Sequence, residues 1–228
     1  MMISEIFYSI QGEGSLVGMP SVFIRTSGCN LRCVWCDTPY TSWEPDGKEM
    51  QLGAILARAR SPHWPRYAVV TGGEPMLAED LGLLTEGLRI EGMHVTIETN
   101  GTVYRKLHCD LMSISPKLAN STPHRRERGR FAVKHEQLRY QPDVLKQLMA
   151  EYAYQLKFVI QDKEDIAEVE KILDATGADP DRVFLMPEGI QVDALYERST
   201  WMVDACKELR WRFSPRLHID LFGNKRGT

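Results

Sequence analysis

Short apolar runs alternate with longer amphipathic ones along most of the chain. Residues 22–26 (VFIRT), 67–70, 94–99 (HVTIET), 111–114, 155–160 (QLKFVI) and 183–186 read as buried strands, with a last strand near 217–219. Helical spacing is found at 52–59, where Ser61-Pro62 supplies a stop, and at 77–90, where Leu77, Leu81, Leu84 and Leu88 form one stripe. It recurs at 144–150, at 164–175 with Ile166, Val169, Ile172 and Leu173 on one face, and over 192–209. Strands and helices alternating at this length predict a mainly parallel sheet of about six or seven strands built from βαβ units. That count falls short of a closed eight-fold barrel, so the expected fold class is α/β, a partial TIM-like barrel. The chemistry-bearing motifs follow strands and therefore fall on the C-terminal edge of the sheet.

The pattern breaks at about 119–140, a stretch with Pro123, Gly129 and the basic residues His124, Arg125, Arg126, Arg128, Arg130 and Lys134. It reads as a solvated loop inserted into a single domain that spans 1–228. A length of 228 residues suits one core and is too short for two large ones. The longest apolar runs cannot span a bilayer, and no basic-then-apolar leader opens the chain. A net charge of −3 argues against broad nucleic-acid affinity.

Five cysteines, an odd number with three of them inside residues 29–36, make a poor disulfide framework. They suit a metal or catalytic cluster in a reducing compartment, which predicts a cytoplasmic protein. Cys29, Cys33 and Cys36 form Cys-x3-Cys-x2-Cys directly after a strand, with Gly28 permitting the sharp exit. Thiolates this close can wrap one inorganic iron–sulfur cluster, and three ligands on a four-iron cube leave one iron open for reaction. Two blander readings stand beside it. A structural zinc site needs a fourth ligand; none follows Cys36 closely, and His63 and Cys109 are remote in sequence. Buried inert thiols are the other, as Cys109 and Cys206 are expected to be.

Cys-x3-Cys-x2-Cys with an aromatic residue, Trp35, before its last cysteine resembles the radical S-adenosylmethionine (SAM) enzymes. The resemblance covers nearly the whole chain. It implies a 4Fe-4S cluster whose open iron is chelated by the methionine moiety of SAM, and reductive cleavage to a 5′-deoxyadenosyl radical. Thr71-Gly72-Gly73-Glu74-Pro75 is similar to the glycine-rich motif of these enzymes, where backbone carbonyls approach the cofactor. A glycyl-radical-enzyme activase shares the cysteine motif, and a zinc-stabilised binding module is the non-enzyme alternative.

Further motifs narrow the resemblance to the 7-carboxy-7-deazaguanine synthase family. They are Glu5-Ile6-Phe7, Ser9-Ile10-Gln11-Gly12-Glu13-Gly14, Phe23-Ile24-Arg25, Cys36-Asp37-Thr38, Ile97-Glu98-Thr99-Asn100-Gly101-Thr102, Ser115-Pro116-Lys117 and Met186-Pro187-Glu188-Gly189. The resemblance implies a carbon–nitrogen lyase of queuosine biosynthesis, supplying tRNA modification. It would contract 6-carboxy-5,6,7,8-tetrahydropterin to 7-carboxy-7-deazaguanine with loss of ammonia and return of the cofactor. Mg2+, a homodimer and an external electron donor such as flavodoxin or ferredoxin are implied with it; nucleic acid and membrane are not.

The same resemblance assigns roles, each beside a plainer reading. Ile10, Gln11 and Gly12 match a pterin-binding segment, or form only a turn. Arg25 matches the ligand of the substrate carboxylate, a role suited to a guanidinium fork and to an arginine otherwise hard to bury in an apolar strand. Thr38 matches a Mg2+ ligand, or is a turn residue before Pro39. Thr71 matches a substrate contact. Gly73, Ser115, Pro116 and Lys117 match cofactor contacts, with Glu74, Glu98 and Gln161 as weaker members of the site. For Lys117 the alternative is an exposed loop lysine, and for Glu98 a buried structural pair.

Overall fold

In a computed structural model, residues 1–60 and 63–228 are described. The strands in chain order are β1 (Met2–Ile10), β2 (Pro20–Thr26), β3 (Lys48–Glu49), β4 (Tyr67–Gly72), β5 (His94–Thr99), β6 (Leu111–Ile114), β7 (Tyr154–Ile160), β8 (Val183–Pro187) and β9 (Arg212–Phe213). The helices are α1 (Leu52–Arg60), α2 (Leu81–Ile90), α3 (Ala132–Arg139), α4 (Pro142–Glu151), α5 (Asp165–Thr176), α6 (Val192–Leu209) and α7 (Leu217–Phe222). The strands build one open sheet in the order β3-β1-β2-β4-β5-β6-β7-β8-β9. From β2 to β9 every pairing is parallel; β1 runs antiparallel to both β2 and β3. This is the expected partial-barrel class, with nine strands instead of six or seven.

The period of two along each strand sorts the chain into two faces. Ile24, Val70, Ile97, Ile114, Phe158 and Leu185 point to the helix side and are buried in the apolar core. Their neighbours Arg25, Thr71, Glu98, Ser113 and Lys157 point the other way and line a cavity. Polar residues inside otherwise apolar strands thus mark the inner face.

Four expectations are corrected. The last strand is Arg212–Phe213, and residues 217–219 begin α7 instead. The N-terminal segment, read only as motif and turn, is the long strand β1, and a register shift between Ile3 and Glu5 brings Glu5 and Phe7 to the cavity. The helix expected from Leu77 starts at Leu81: Pro75–Leu77 is a separate 3-10 turn, and Leu77 is exposed while Leu81, Leu84 and Leu88 are buried. The stretch 119–140 is not all loop, because α3 occupies its second half. The stop at Ser61-Pro62 lies outside the described residues. No helix among the described residues is long and apolar enough to cross a membrane.

Candidate active site

The cavity, about 360 Å3, opens where the parallel strands end. Cys29, Cys33 and Cys36 all line it, each a free thiol. The loop carrying them leaves β2 at Gly28, whose φ of +104° suits glycine, and is pinned on several sides. Gly28 N donates to Thr41 O (2.9 Å), Val34 N to Ser121 O (2.8 Å), and Trp43 Nε1 to Cys33 O (2.9 Å). Arg32 N donates to Nδ1 of the buried His135 (3.1 Å), and Arg32 Nη1 to Cys29 O (2.8 Å).

Burial pushes the Cys29 thiol up to about 12 and the Cys33 thiol higher still, so both are neutral unless a cation sits beside them. Iron supplies that cation when bound. Leu31 N lies 3.4 Å and Asn100 Nδ2 3.9 Å from Cys29 Sγ, the sulfur-directed donors that an iron–sulfur cluster uses. Among the described residues no three His, Cys, Asp or Glu side chains are grouped to hold one metal ion. Neither His63, stacked on Tyr8, nor Cys109 lines the cavity. The three cysteines thus stand in the cavity without either remote candidate for a fourth zinc ligand, a donor set that fits a cluster with one open iron.

Beside the cysteines, Gly73 passes between two backbones. A Cβ there would overlap the Gly28 carbonyl and come within 2.7 Å of Thr41 O. Glu74 N donates to Gly28 O (2.9 Å), so the glycine-rich turn and the cysteine loop hold each other. Glu74 itself faces inward. It accepts from Met76 N, Thr99 Oγ1 and Asn100 N (2.9, 2.8 and 2.7 Å), and burial raises its pKa against those hydrogen bonds. It ties β4 to β5 and does not line the cavity.

Another wall carries charge. Arg25 Nε donates to Glu5 Oε1 (2.7 Å), which also accepts from Tyr40 OH (3.0 Å). Burial opposes the Arg25 charge, but Tyr40, Glu5 and Asp37 outweigh it and hold its pKa above the ordinary value. With Nε engaged, the terminal amino groups of the fork make no hydrogen bond to a described residue. Gln11 Nε2 donates to Glu98 Oε1 (3.1 Å), and Gln11 Oε1 accepts from Glu13 N (3.1 Å). Glu13 is the node: Lys157 Nζ donates to it, Arg216 Nε donates at 3.3 Å, and Arg216 also bonds Asp37. Burial opposes the Glu13 charge, but Lys157, Arg216 and His218 outweigh it and hold the carboxyl far below the usual range. His218, on α7, lines the cavity with its pKa lowered by burial, and Leu217 N donates to Gly12 O (3.0 Å).

Of the residues expected from the sequence, Ile10, Gln11, Gly12, Arg25, Thr38, Thr71, Gly73, Glu98, Ser115 and Lys117 line this one cavity with the three cysteines. Thr38 precedes the 3-10 turn Pro39–Thr41, with Oγ1 3.9 Å from Cys36 Sγ. Lys117 Nζ donates to Ser115 Oγ (2.6 Å) and lies over Trp35. Pro116, Glu74 and Gln161 are not in the lining; Pro116 is buried behind Ser115, and Gln161 binds Asp165 and Arg198 through its backbone. Sequence reading missed Glu5, Glu13, Asp37, Lys157, Arg216 and His218. Lys157 had a signal, a lysine within an apolar strand like Arg25; Arg216 and His218 had none, since only the fold brings them to Glu13.

An open parallel sheet carrying Cys-x3-Cys-x2-Cys at a strand end defines the class, and the Radical SAM superfamily model matches residues 23–139, just over half of the 228 residues. The 7-carboxy-7-deazaguanine synthase of Rhodopirellula baltica is 42% identical over 100% of this chain and 89% of its own length. That of Halobacterium salinarum is 43% identical over 97% and 90%. The crystal structure of QueE from Escherichia coli superposes with a TM-score of 0.71 at 28% identity, covering 95% of this chain and 94% of its own. The chain belongs to the 7-carboxy-7-deazaguanine synthase family.

Proposed function

We propose that this chain converts 6-carboxy-5,6,7,8-tetrahydropterin to 7-carboxy-7-deazaguanine with release of ammonia, in the 7-deazapurine route to queuosine. One observation carries the reading: three cluster-type thiols and an arginine with a free fork face the same 360 Å3 cavity. When bound, the 4Fe-4S cluster and SAM supply a 5′-deoxyadenosyl radical that takes hydrogen from C6 of the substrate. Cys29, Cys33 and Cys36 hold the cluster. Gly73, Ser115 and Lys117 hold SAM, and the Pro116 ring behind Ser115 sets that segment. The Arg25 fork binds the substrate carboxylate, its Nε fixed by Glu5. Ile10, Gln11, Gly12 and Thr71 read the pterin edge, with Glu98 orienting the Gln11 amide. Thr38 offers a hydroxyl oxygen to Mg2+, a hard cation that keeps several waters. Gln161 and Glu74 act from behind the wall. The protein works in the cytoplasm as a homodimer reduced by an external carrier.

The same wall argues against an activase, which needs no carboxylate-binding fork inside the cavity. Protein reconstituted anaerobically with iron and sulfide should turn the pterin over while SAM is recovered intact. Brown protein that cleaves SAM and leaves the pterin untouched refutes the substrate; colourless protein containing zinc refutes the cluster.

A further inference from the structure

The cysteine loop has an outer side as well as an inner one, and that outer side is strongly basic. Between residues 124 and 139 stand six Lys or Arg against two Glu, in a chain whose net charge is −3. Arg125, Arg128, Arg130 and Lys134 are exposed, and their side chains make no hydrogen bond or ion pair with another described residue. Glu127 and Arg128 both hold left-handed backbones, with φ of +49° and +55°. Such a conformation is disfavoured for non-glycine residues, by about 1–3 kcal/mol each, and recurs where display matters more than stability.

This strip is joined to the cysteine loop. Arg126 Nη1 donates to Val34 O (3.4 Å), and its guanidinium lies 3.7 Å from the centroid of Trp43. Trp43 in turn donates to Cys33 O (2.9 Å). Val34, between Cys33 and Cys36, is 38% exposed and carries the Arg126 contact, and Lys134 lines a small cleft with Cys29 and Arg32, so the cysteine loop meets the surface beside the basic strip.

We propose that Arg125, Arg128, Arg130 and Lys134, on the strip that Arg126 joins to Val34, dock an acidic, low-potential one-electron carrier protein. The inference rests on the radical reading above, whose chemistry starts only after the cluster has been reduced by one electron. A cationic strip beside the cysteine loop gives an acidic carrier both steering and an approach on the loop's outer side. Nucleic acid is the weaker fit, because outside this strip the chain is acidic. One electron passes at each encounter: a reduced flavin hydroquinone is oxidised to its semiquinone, the cluster is reduced from its 2+ to its 1+ state, and no bond is made or broken.

The test compares wild-type holoprotein with the variant Arg125→Glu/Arg128→Glu/Arg130→Glu/Lys134→Glu. Arg126 is spared because it braces the loop. Reduced flavodoxin is mixed with each, and cluster reduction is followed by absorbance, a readout that requires no pterin. The reversed charges should slow reduction by flavodoxin on the order of tenfold or more at low ionic strength. Rising salt should slow the wild type far more than the variant. Reduction by dithionite, which needs no docking, should be unchanged. A variant reduced by flavodoxin as fast as the wild type overturns the proposal, and so does a wild-type rate indifferent to salt. Loss of tRNA binding with unaltered flavodoxin kinetics would assign the strip to RNA and also overturn it. Failure to turn over the pterin, with these kinetics as expected, would strike the proposed function and leave the docking surface standing.

Discussion

Replacing Lys157 with Met keeps the length of the side chain and removes its charge from a site only 4% exposed. Glu13 then loses its closest partner and retains Arg216 at 3.3 Å, a guanidinium it already shares with Asp37. Removing one member of a buried pair destabilises by about 3–5 kcal/mol, because the other charge stays behind uncompensated. The surviving Arg216 contact puts the expectation at the lower end, about 3 kcal/mol. For a domain of this size each kcal/mol moves Tm by about 2–4 °C, so thermal unfolding should begin roughly 6–12 °C earlier. Calorimetry of the metal-free protein measures this without cluster chemistry. The double variant Lys157→Met/Glu13→Gln should recover part of the loss, since no orphan carboxylate remains. The pH window follows from the two shifts. Glu13 is lowered from 4.5, so its contribution is present above about pH 4.5 and lost as pH falls through the depressed value. Lys157 is raised from 10.5, so its contribution is present below about pH 10.5 and lost as pH rises through the elevated value. Between those limits the difference between wild type and Lys157→Met should be flat, and it should narrow in strong acid. A single variant melting within about 2 °C of wild type, or a double variant worse than both singles, would refute the electrostatic reading of this node.

Arg25→Ala should weaken binding of the carboxylated pterin by roughly 10- to 100-fold, the scale of a charged hydrogen-bonded contact, while SAM still binds; calorimetric titration of each ligand checks the split. Gly73→Ala drives a Cβ into the Gly28 carbonyl, so iron incorporation and SAM affinity should fall together, the latter about tenfold or more; normal iron content with normal affinity would remove the close-approach role. His135→Leu leaves Arg32 N–H unsatisfied at a cost of about 1–3 kcal/mol, and chelators should strip the cluster faster, whereas His135→Asn retains an acceptor and should resemble wild type. Burial lowers His135 from 6.5 to about 4, so the cysteine loop should loosen as pH falls between those values, measured as chelation rate against pH.

The parallel core was legible because its strands are buried on both faces and read as continuous apolar runs; residues 192–209 were read as helical, and α6 has those bounds. β1 was not legible. Its sequence, MISEIFYSI, mixes polar and apolar residues without a clean period, because the bulge after Ile3 swaps faces and Glu5 and Phe7 then serve a polar cavity. Residues 217–219 were misread as a strand for another reason: Leu-His-Ile is too short to show a period, and Arg216 ahead of it is buried among its charge partners. Most residues singled out from local motifs line the cavity, although Glu5, Glu13 and Asp37 in the same motifs were passed over; Arg216 and His218 carried no signal, since 203 positions separate Arg216 from the Glu13 it binds.

One wall of this site is built at the end of the sheet where β1 lies. β1 turns antiparallel against β2, and the segment after it crosses the ends of the parallel strands to deliver Gln11 and Glu13. α7 then braces that segment through Gly12, so the beginning and the end of the described chain meet at one wall. The cysteine loop and the glycine-rich turn sit on β2 and β4 and bind each other through backbone alone. On the roles proposed above, reaction type and substrate choice therefore rest on different elements. Changes to the Glu13 node should alter which pterin is accepted while leaving the cysteine loop assembled, and changes at Gly73 should weaken cluster and SAM binding together.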